Sequence, residues 1–536
     1  MLGRFEVPPL WNLTPLLDGR IGIECRPRGD AAPANLPGMA TPPPNCPGSC
    51  NILLIGGGGR EHALAWKIRQ SDRCGTLWLT DPGNGGLAKL GKPCPHKWDH
   101  RNTFPLTNWC DKQGINLIVV GPEVPLAEGI VDCLRTERRQ VFGPSKAGAQ
   151  LESDKSFAKD LMKQAAIPTA DSQTFTSASN ARRWVLRSLE AELAGATPVE
   201  GIEELVYWLA TSDDRGENKM PAITDAVREW LASRDEPLVI KATGLAAGKG
   251  VVVCKTTMEA LDAIQLIMVD NAYGEAGDRL IIEEFLQGQE VSILALVDGK
   301  TMWVLDPCQD HKQVGEGDVG PNTGGMGAYC PAPLIDESLL AEIEKTILLP
   351  MLDALRRRDI DYRGVLYAGL MLTPGGPKVL EFNCRFGDPE CQPLMARLEG
   401  DLVDILWRTA VGTLINAKID FDPRPACCVV LCSEGYPGSY EKGRPVRGLA
   451  EIDTDGLTIF HAGTTVNHEG TLVTTGGRVL GMTALAPTLP EARDRANAAC
   501  AAVDLEGGFY RSDIGCREDS ARELENQAGE AEKAAT

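Results

Sequence analysis

The 536-residue sequence contains no apolar run near the roughly 18 uninterrupted residues that a membrane-crossing helix needs, which argues against a helical membrane protein. It also has no Cys-x-x-Cys pair. Its 17 cysteines are scattered, the closest spacings being Cys46/Cys50 and Cys427-Cys428/Cys432. Such spacing suits neither a zinc site nor a secreted disulfide framework, and reduced thiols in a cytoplasm are the simpler reading. Positive charge is in short supply: 54 Lys and Arg against 74 Asp and Glu leave a net charge of −20. That field repels phosphate backbones and argues against nonspecific nucleic-acid binding, while leaving room for a small anionic substrate in a local nest of donors. No apolar secretory segment opens the chain, and Glu6, Asp18, Glu24 and Asp30 balance the early arginines, against a transit peptide. Residues 1–50, broken by Pro8, Pro9, Pro33, Pro37 and Pro42-Pro43-Pro44, read as a disordered extension.

Two familiar nucleotide motifs are incomplete. The turn Gly56-Gly57-Gly58-Gly59 fails the dinucleotide fingerprint, because its third glycine position falls on Glu61 or His62. The stretch Gly244-Leu-Ala-Ala-Gly248-Lys249-Gly250 fails the Walker loop. It has three residues where four are needed, and Gly250 replaces the magnesium-binding Ser or Thr.

What is present is an ordinary globular composition, 43% apolar and 24% charged, of a length that suits three or four domains. Glycine is abundant at 57 residues, which points to tight turns and close backbone approaches. From Asn51, short apolar runs at 52–55, 77–79 and 117–120 alternate with helical segments, predicting a doubly wound parallel sheet over about 51–151. Residues 153–164 read as a helix, 180–236 as a helical and acidic stretch, and 238–305 as a run of mostly antiparallel strands. A helix over 336–358, a hairpin joining 365–372 to 378–383, and a block at 426–516 complete the ordered chain, with a charged tail after it.

Several groups suit phosphate chemistry. Gly57, Gly58 and Gly59 precede a helix whose positive end would receive a phosphate, although Asp81 could instead bind a ribose as in a nicotinamide site. The loop 244–250, between two strands and flanked by Lys241 and Lys249, can fold over a triphosphate as a flap. The strand end Glu283-Glu284-Phe285-Leu286 can read an adenine by its backbone, with Glu290 placed for ribose hydroxyls. Alternation puts Glu381 and Asn383 on one face of a strand, an oxygen pair suited to magnesium, and Arg385 continues that face toward a transferred phosphoryl group. The polar segments 309–312 and 320–329 read as two loops near a ligand.

The motifs GGREHALAWK (58–67), FGPSKAGAQLE (142–152), GLAAGKGV (244–251), IEEFLQGQE (282–290), QDHK (309–312), GPNTGGMGAY (320–329), EFNCRFGDPE (381–390) and FHAGT (460–464) together resemble the glycinamide ribonucleotide synthetase family of the ATP-grasp superfamily. The resemblance runs from Asn51 to about Arg517 and implies a multidomain α/β and α+β fold. Its parts would be an N-terminal parallel-sheet domain to 151, an ATP-grasp core over 152–425 and a C-terminal α+β domain over 426–516. The core would carry a mobile lid at about 168–285. The tail 517–536 and the extension 1–50 have no counterpart, and 180–236 reads as a helical elaboration decorating the lid surface.

The implied reaction joins glycine to 5-phosphoribosylamine with ATP and Mg2+ or Mn2+, through glycyl phosphate. By resemblance, Lys155 and Lys241 contact phosphates, with Gly248, Lys249 and Gly250 in the flap. Glu283, Glu284, Phe285, Leu286 and Glu290 would hold adenosine, and Glu381 and Asn383 the metal. Gly57, Gly58, Gly59, Arg60 and Glu61 would line the substrate side with Lys312, Asn322, Thr323, Gly324, Gly325 and Met326. Arg385 would stabilise the acyl phosphate, and Asp310 or Asp388 would meet the glycine ammonium. Thr243 stands where the family usually has Asp. A nicotinamide oxidoreductase, a non-catalytic nucleotide-binding regulator and a ligase for another purine intermediate are the competing readings. The missing third glycine, the retained lysines and metal strand, and the QDHK and GPNTGGMGAY segments argue against them in that order.

Overall fold

The computed structural model describes residues 11–15, 21–25, 44–187, 199–211, 220–245 and 250–517. Gly248 and Lys249 of the expected flap, 188–198 and 212–219 of the helical stretch, and the tail from 518 lie outside the described residues. The chain forms two compact units. One comprises residues up to Ala149, Glu290–Gly369 and the chain from Phe382 onward; the other comprises Gln150–Gln289 and Leu370–Glu381. Among the described residues no helix is long and apolar enough to cross a membrane.

The first unit opens with a five-stranded, wholly parallel sheet in the order Lys92–Pro93, Cys74–Leu79, Cys50–Ile55, Leu117–Val120, Gln140–Phe142. The apolar run Ile52-Leu53-Leu54-Ile55 is central and buried on both faces, as expected of a strand covered by helices on either side. The helix Gly59–Ile68 follows directly and buries Gly59 to Ala65 and Ile68. A second sheet of the unit is antiparallel, ordered Gln309–Asp310, Gly327–Cys330, Ala426–Cys432, Arg478–Leu485, Leu457–His461, with the helix Leu489–Ala501 against it. The segments 309–312 and 320–329 are therefore not simply loops. A two-residue strand is too short to show an alternation, so the ladder Gln309↔Tyr329 and Asp310↔Ala328 leaves no periodic trace.

A third sheet contains Thr301–Val304, Gln289–Asp298, Arg363–Thr373 and Gly376–Asn383. Its outer edge carries two further strands, Trp11–Pro15 and Ile21–Cys25, paired with each other and through Ile23 and Glu24 with Met302 and Thr301. Trp11–Pro15 and Ile21–Cys25 are thus strands within the stretch read as a disordered extension, most of the rest of which lies outside the described residues. The prolines that suggested disorder all fall outside these strands.

The second unit holds a four-stranded antiparallel sheet ordered Val251–Thr256, Asp235–Ala242, Leu280–Glu284, Ser172–Phe175. The helices Ala178–Arg187, Ile202–Thr211 and Asp225–Ala232 occupy much of the stretch read as surface decoration. Val185, Leu205, Trp208, Val227 and Leu231 are buried in one core with Ile240, Leu261 and Ile282 of the sheet and its neighbouring helix. The elaboration thus builds the unit's core. Its charged outer faces had masked three short apolar stripes.

Candidate active site

In the second unit the helix Lys155–Gln164 starts at Asp154, whose carboxylate accepts the N–H groups of Ser156 and Phe157 at 3.0 and 3.1 Å. That start puts Lys155 and Lys159 one turn apart on the same face. Lys155 donates through its backbone N–H to the Thr243 carbonyl (3.0 Å) and through Nζ to the Gly244 carbonyl (3.3 Å). Lys241 Nζ lies 2.8 Å from Glu283 Oε2, and Lys159 Nζ lies 3.0 Å from Glu283 Oε1. Three lysines thus gather beside the glycine loop, which joins Asp235–Ala242 to Val251–Thr256 as expected. Burial holds the Lys155 and Lys159 ammonium groups below their ordinary range, opposed by the carboxylates of Glu381 for Lys155 and Glu283 for Lys159. An anionic group brought to this cluster would offset that burial cost with opposite charge, as the carboxylates do.

Glu283, expected to face adenosine, has both oxygens engaged by lysines and is almost wholly buried. Its neighbour Glu284 accepts the Asp171 N–H (3.0 Å) and Lys378 Nζ (2.8 Å), and the Lys378 hydrogen bond holds its carboxyl below the usual range. Phe285 is exposed and Leu286 buried. Lys159 was missed by the sequence reading; its spacing of four from Lys155 on a capped helix was the available signal.

Glu381 and Asn383 stand two residues apart on the strand Gly376–Asn383, with Phe382 between them fully buried, so alternation gives the two polar side chains one face. A carboxylate and an amide oxygen form an oxygen-only donor pair, which fits a hard divalent cation. Arg385 donates to Asn383 Oδ1 (3.4 Å) and approaches Glu123 Oε2 (3.5 Å).

The glycine turn of the first unit is partly occupied by its own helix. Gly56 adopts φ +106°, and a Cβ there would lie 2.8 Å from Pro122 Cδ, so only glycine fits. The Gly58 N–H donates to Glu61 Oε2 (2.6 Å), while Glu61 Oε1 takes Arg60 Nε (2.7 Å) and Arg60 Nη1 donates to the Phe386 carbonyl (3.1 Å). Glu61 and Arg60 are therefore buried partners of the turn rather than open substrate ligands. Beside the turn is a pocket of about 360 Å³ lined by Gly57, Asp81, Asn84, Lys97, Thr464 and Thr475, among others. Asn84 ties it together, donating to the carbonyls of Gly57 (2.9 Å), His461 (2.8 Å) and Ala462 (3.0 Å) and accepting the Gly86 N–H (2.9 Å). His62 packs edge-on against Phe460 and accepts the His461 N–H at Nδ1 (2.7 Å), bringing the GGREHALAWK and FHAGT segments together.

The remaining polar residues form one cluster of the same unit. Lys312 Nζ pairs with Glu290 Oε2 at 2.9 Å, joining a residue expected at the substrate to one expected at ribose. Thr323 and Met326 fasten their loop to the QDHK segment through the Lys312 and His311 carbonyls (both 2.8 Å), Gly324 accepts a donor from Arg478, and Asn322 pairs in a hairpin with Gln313. Asp388 accepts Gln392 Nε2 at Oδ1 (2.8 Å) and Arg478 Nη2 at Oδ2 (3.1 Å). Against the cost of burial, the Arg478 and Arg60 guanidiniums hold its carboxyl below the usual range. Asp310 behaves oppositely: burial first, then the nearby Glu390 carboxylate, push its carboxyl well above that range.

Buried lysines flanking a glycine loop between antiparallel strands, next to an oxygen-bearing strand, define an ATP-using ligase of the ATP-grasp class. The family models for phosphoribosylglycinamide synthetase match the chain in three parts: the N domain at 50–152, the ATP-grasp (A) domain at 217–391 and the C domain at 426–517. A phosphoribosylamine–glycine ligase of Rhodopirellula baltica is 45% identical over 87% of this chain and 97% of its own length. One from a Nostoc strain is 42% identical over 88% of this chain and 100% of its own. The crystal structure of a phosphoribosylamine–glycine ligase from Thermotoga maritima superposes with a TM-score of 0.64 at 29% identity, covering 87% of this chain and all of that one. The chain belongs to the phosphoribosylglycinamide synthetase family.

Proposed function

We propose that the protein joins glycine to 5-phosphoribosylamine with ATP, giving glycinamide ribonucleotide, ADP and phosphate in purine biosynthesis. A glycine carboxylate oxygen attacks the γ-phosphorus, forming a P–O bond as ADP leaves. The uncharged amine of phosphoribosylamine then attacks the acyl carbon, forming the C–N bond as phosphate leaves and the amine gives up a proton. Such chemistry asks the protein mainly for positioning and charge neutralisation.

In this reading Lys155 and Lys241 meet the triphosphate, with Lys159 and Glu283 fixing their places. Gly248, Lys249 and Gly250 cover it, and Glu284, Phe285, Leu286 and Glu290 attend to the adenosine. Glu381 and Asn383 would hold Mg2+ or Mn2+, which when bound neutralises phosphate charge. The pocket beside Gly57, just before the positive end of the helix Gly59–Ile68 and flanked by Lys97, suits the substrate's 5-phosphate. Lys312 and the segment Asn322–Met326 stand on the amino-acid side, and Arg385 would stabilise the acyl-phosphate oxygens.

The observation that carries the reading is the lysine cluster, in which ammonium groups weakened by burial stand beside the glycine loop. Incubating the protein with ATP, Mg2+, glycine and freshly made phosphoribosylamine tests it. ADP release that depends on both co-substrates is expected, and release indifferent to glycine would overturn the assignment.

A further inference from the structure

The hairpin Gln313–Gly315 and Val319–Asn322 belongs to no larger sheet. Among the described residues its two strands pair only with each other, at Gln313↔Asn322 and Gly315↔Val319 with an irregular register, and Val319 to Asn322 are exposed. A two-stranded hairpin on its own is marginally stable in water. Its turn adds a cost, because Asp318 adopts φ +59°, a left-handed conformation uncommon for a residue with a Cβ. The order of this hairpin therefore comes from contacts outside it.

Those contacts come from the segment 511–517, at the far end of the chain. Arg511, its side chain only 1% exposed, donates from Nη1 to the Gln313 carbonyl and to Asp318 Oδ1, both at 3.0 Å. Its Nε and Nη2 hold the two oxygens of Asp513 at 2.8 and 2.7 Å, which fixes the plane of the guanidinium. Asp513 Oδ2 also accepts the Gly317 N–H (2.8 Å), and Glu316 Oε1 accepts the Ser512 N–H (3.0 Å) and hydroxyl (2.6 Å). Arg517 Nε donates to Asp318 Oδ2 at 2.8 Å, and the Gly515 N–H donates to His311 Nε2 at 3.1 Å, two residues before the hairpin. Against the cost of burial, hydrogen bonds from His311, Arg517 and Arg511 hold the Asp318 carboxyl below its usual range. Asp318 is thus an anion held by two guanidiniums.

The two ends of the hairpin meet at Lys312 and Thr323. The Lys312 carbonyl accepts both the N–H and the hydroxyl of Thr323 at 2.8 Å, so a shift of the hairpin carries both residues with it. We propose that the segment 511–517 is a clasp that sets the hairpin 313–322, and with it Lys312 and Thr323, for ligation. Arg511, Arg517 and Asp318 are positioning residues, acting through the hairpin rather than on a substrate. The clasp rests on the ligase reading above, in which Lys312 and Thr323 stand on the amino-acid side.

The test compares wild type with Asp318→Asn in amide hydrogen exchange and in glycine-dependent ADP release. Asparagine keeps the shape and tolerates the left-handed backbone, but gives up the charge that both guanidiniums hold. Amides of 313–322 should exchange about tenfold faster or more, while those of the buried strand Cys50–Ile55 keep their wild-type rates. The kcat/KM for glycine should fall by about 10- to 100-fold, the scale of a misplacement of about 1 Å, with KM for ATP changed less than about threefold. A brace that served stability alone would lower the melting temperature and leave the ratio of those two constants as it is. Arg517→Gln, at a partly exposed position, serves if the first variant does not fold. It should show the same selective loss, and Arg517→Lys should recover most of it. Wild-type exchange at 313–322, or equal changes for glycine and ATP, in a folded variant would overturn the clasp while wild type stays glycine-dependent. Wild type lacking that dependence would overturn the ligase reading itself.

Discussion

Lys241 Nζ lies 2.8 Å from Glu283 Oε2, and the side chains are only 8% and 2% exposed. Lys159 takes the other oxygen of the same carboxylate. One buried anion thus holds two buried cations at the glycine loop. Glu283→Gln would leave both ammonium groups without a counter-charge, a change that typically costs about 3–5 kcal/mol in a buried pair. The variant should unfold at markedly lower urea and bind ATP more weakly. Wild-type stability in a urea titration would show that Glu283 is not the anchor of the cluster.

Glu381 lies close enough to Lys155 to act on its charge, so its carboxylate serves that lysine whether or not a cation is bound. As one of the two proposed metal ligands, it should lower kcat by about 10²-fold or more when changed to Gln, the scale of losing a preorganised charge contact. Activity should then need a higher Mg2+ concentration. A titration of rate against Mg2+ checks this, and a near-normal rate would remove Glu381 from the proposed metal site.

Much of this was readable from local pattern. The run Ile52–Ile55, the helix after Asp154 and the strands around the glycine loop each carry their own period or cap, and each appears where that signal lies. The rest depended on contacts between distant segments. Lys159 looks like any helical lysine until Glu283 arrives from another strand. Thr464 and Thr475 join the pocket at Gly57 only because the strand Leu457–His461 lies where Asn84 can hydrogen-bond its end. Glu61 resembles a ligand in the motif, yet a helix starting on glycine, which has no side chain to cap with, takes its cap from Glu61 instead. Nor does any local signal mark Trp11–Pro15 and Ile21–Cys25, whose order comes from an edge at Thr301 and Met302 nearly 280 residues away.

His62 and His461 are buried against each other, and burial holds them at about 3 and about 4, far below an exposed histidine. The unfolded chain takes up these protons near pH 6.5, and the folded chain only well below that. Stability contributed by the neutral pair is therefore present above about pH 6.5 and drains away as pH falls toward 4. A His62→Gln variant should be less stable at pH 7.5, since its amide replaces a fitted ring, yet should lose less further stability on acidification. Chemical denaturation at pH 7.5, 6 and 5 checks this, and parallel pH profiles for the two proteins would contradict it.

Asn84 is the knot of the pocket beside the glycine turn, serving three carbonyls and the N–H groups of Gly86 and Leu87. Asn84→Ala strands those groups in a largely buried place, at about 1–3 kcal/mol for each one left unsatisfied and less where water enters. If the pocket takes the substrate's 5-phosphate, the variant should raise KM for phosphoribosylamine by about tenfold or more while KM for ATP holds steady. Equal changes in both constants would point to general damage rather than to a site for that substrate.

Asp310 gives a prediction that needs no substrate at all. Its carboxyl is raised well above the ordinary range by burial and by Glu390. An aspartate in the unfolded chain gives up its proton near pH 4, whereas the folded chain keeps this one to much higher pH. Every step above about pH 4 therefore favours the unfolded state at this residue, and wild type carries that cost at neutral pH. Asp310→Asn removes the titration while keeping the shape. The variant should melt higher than wild type at pH 7.5, by less per kcal/mol than the roughly 2–4 °C typical of a 150–250-residue domain, because the unit that holds Asp310 is larger. The gap should close as pH approaches 4. Melting curves of both proteins at three pH values measure this. A variant less stable than wild type at pH 7.5, or a gap that widens on acidification, would show that Asp310 is held by partners other than those described here.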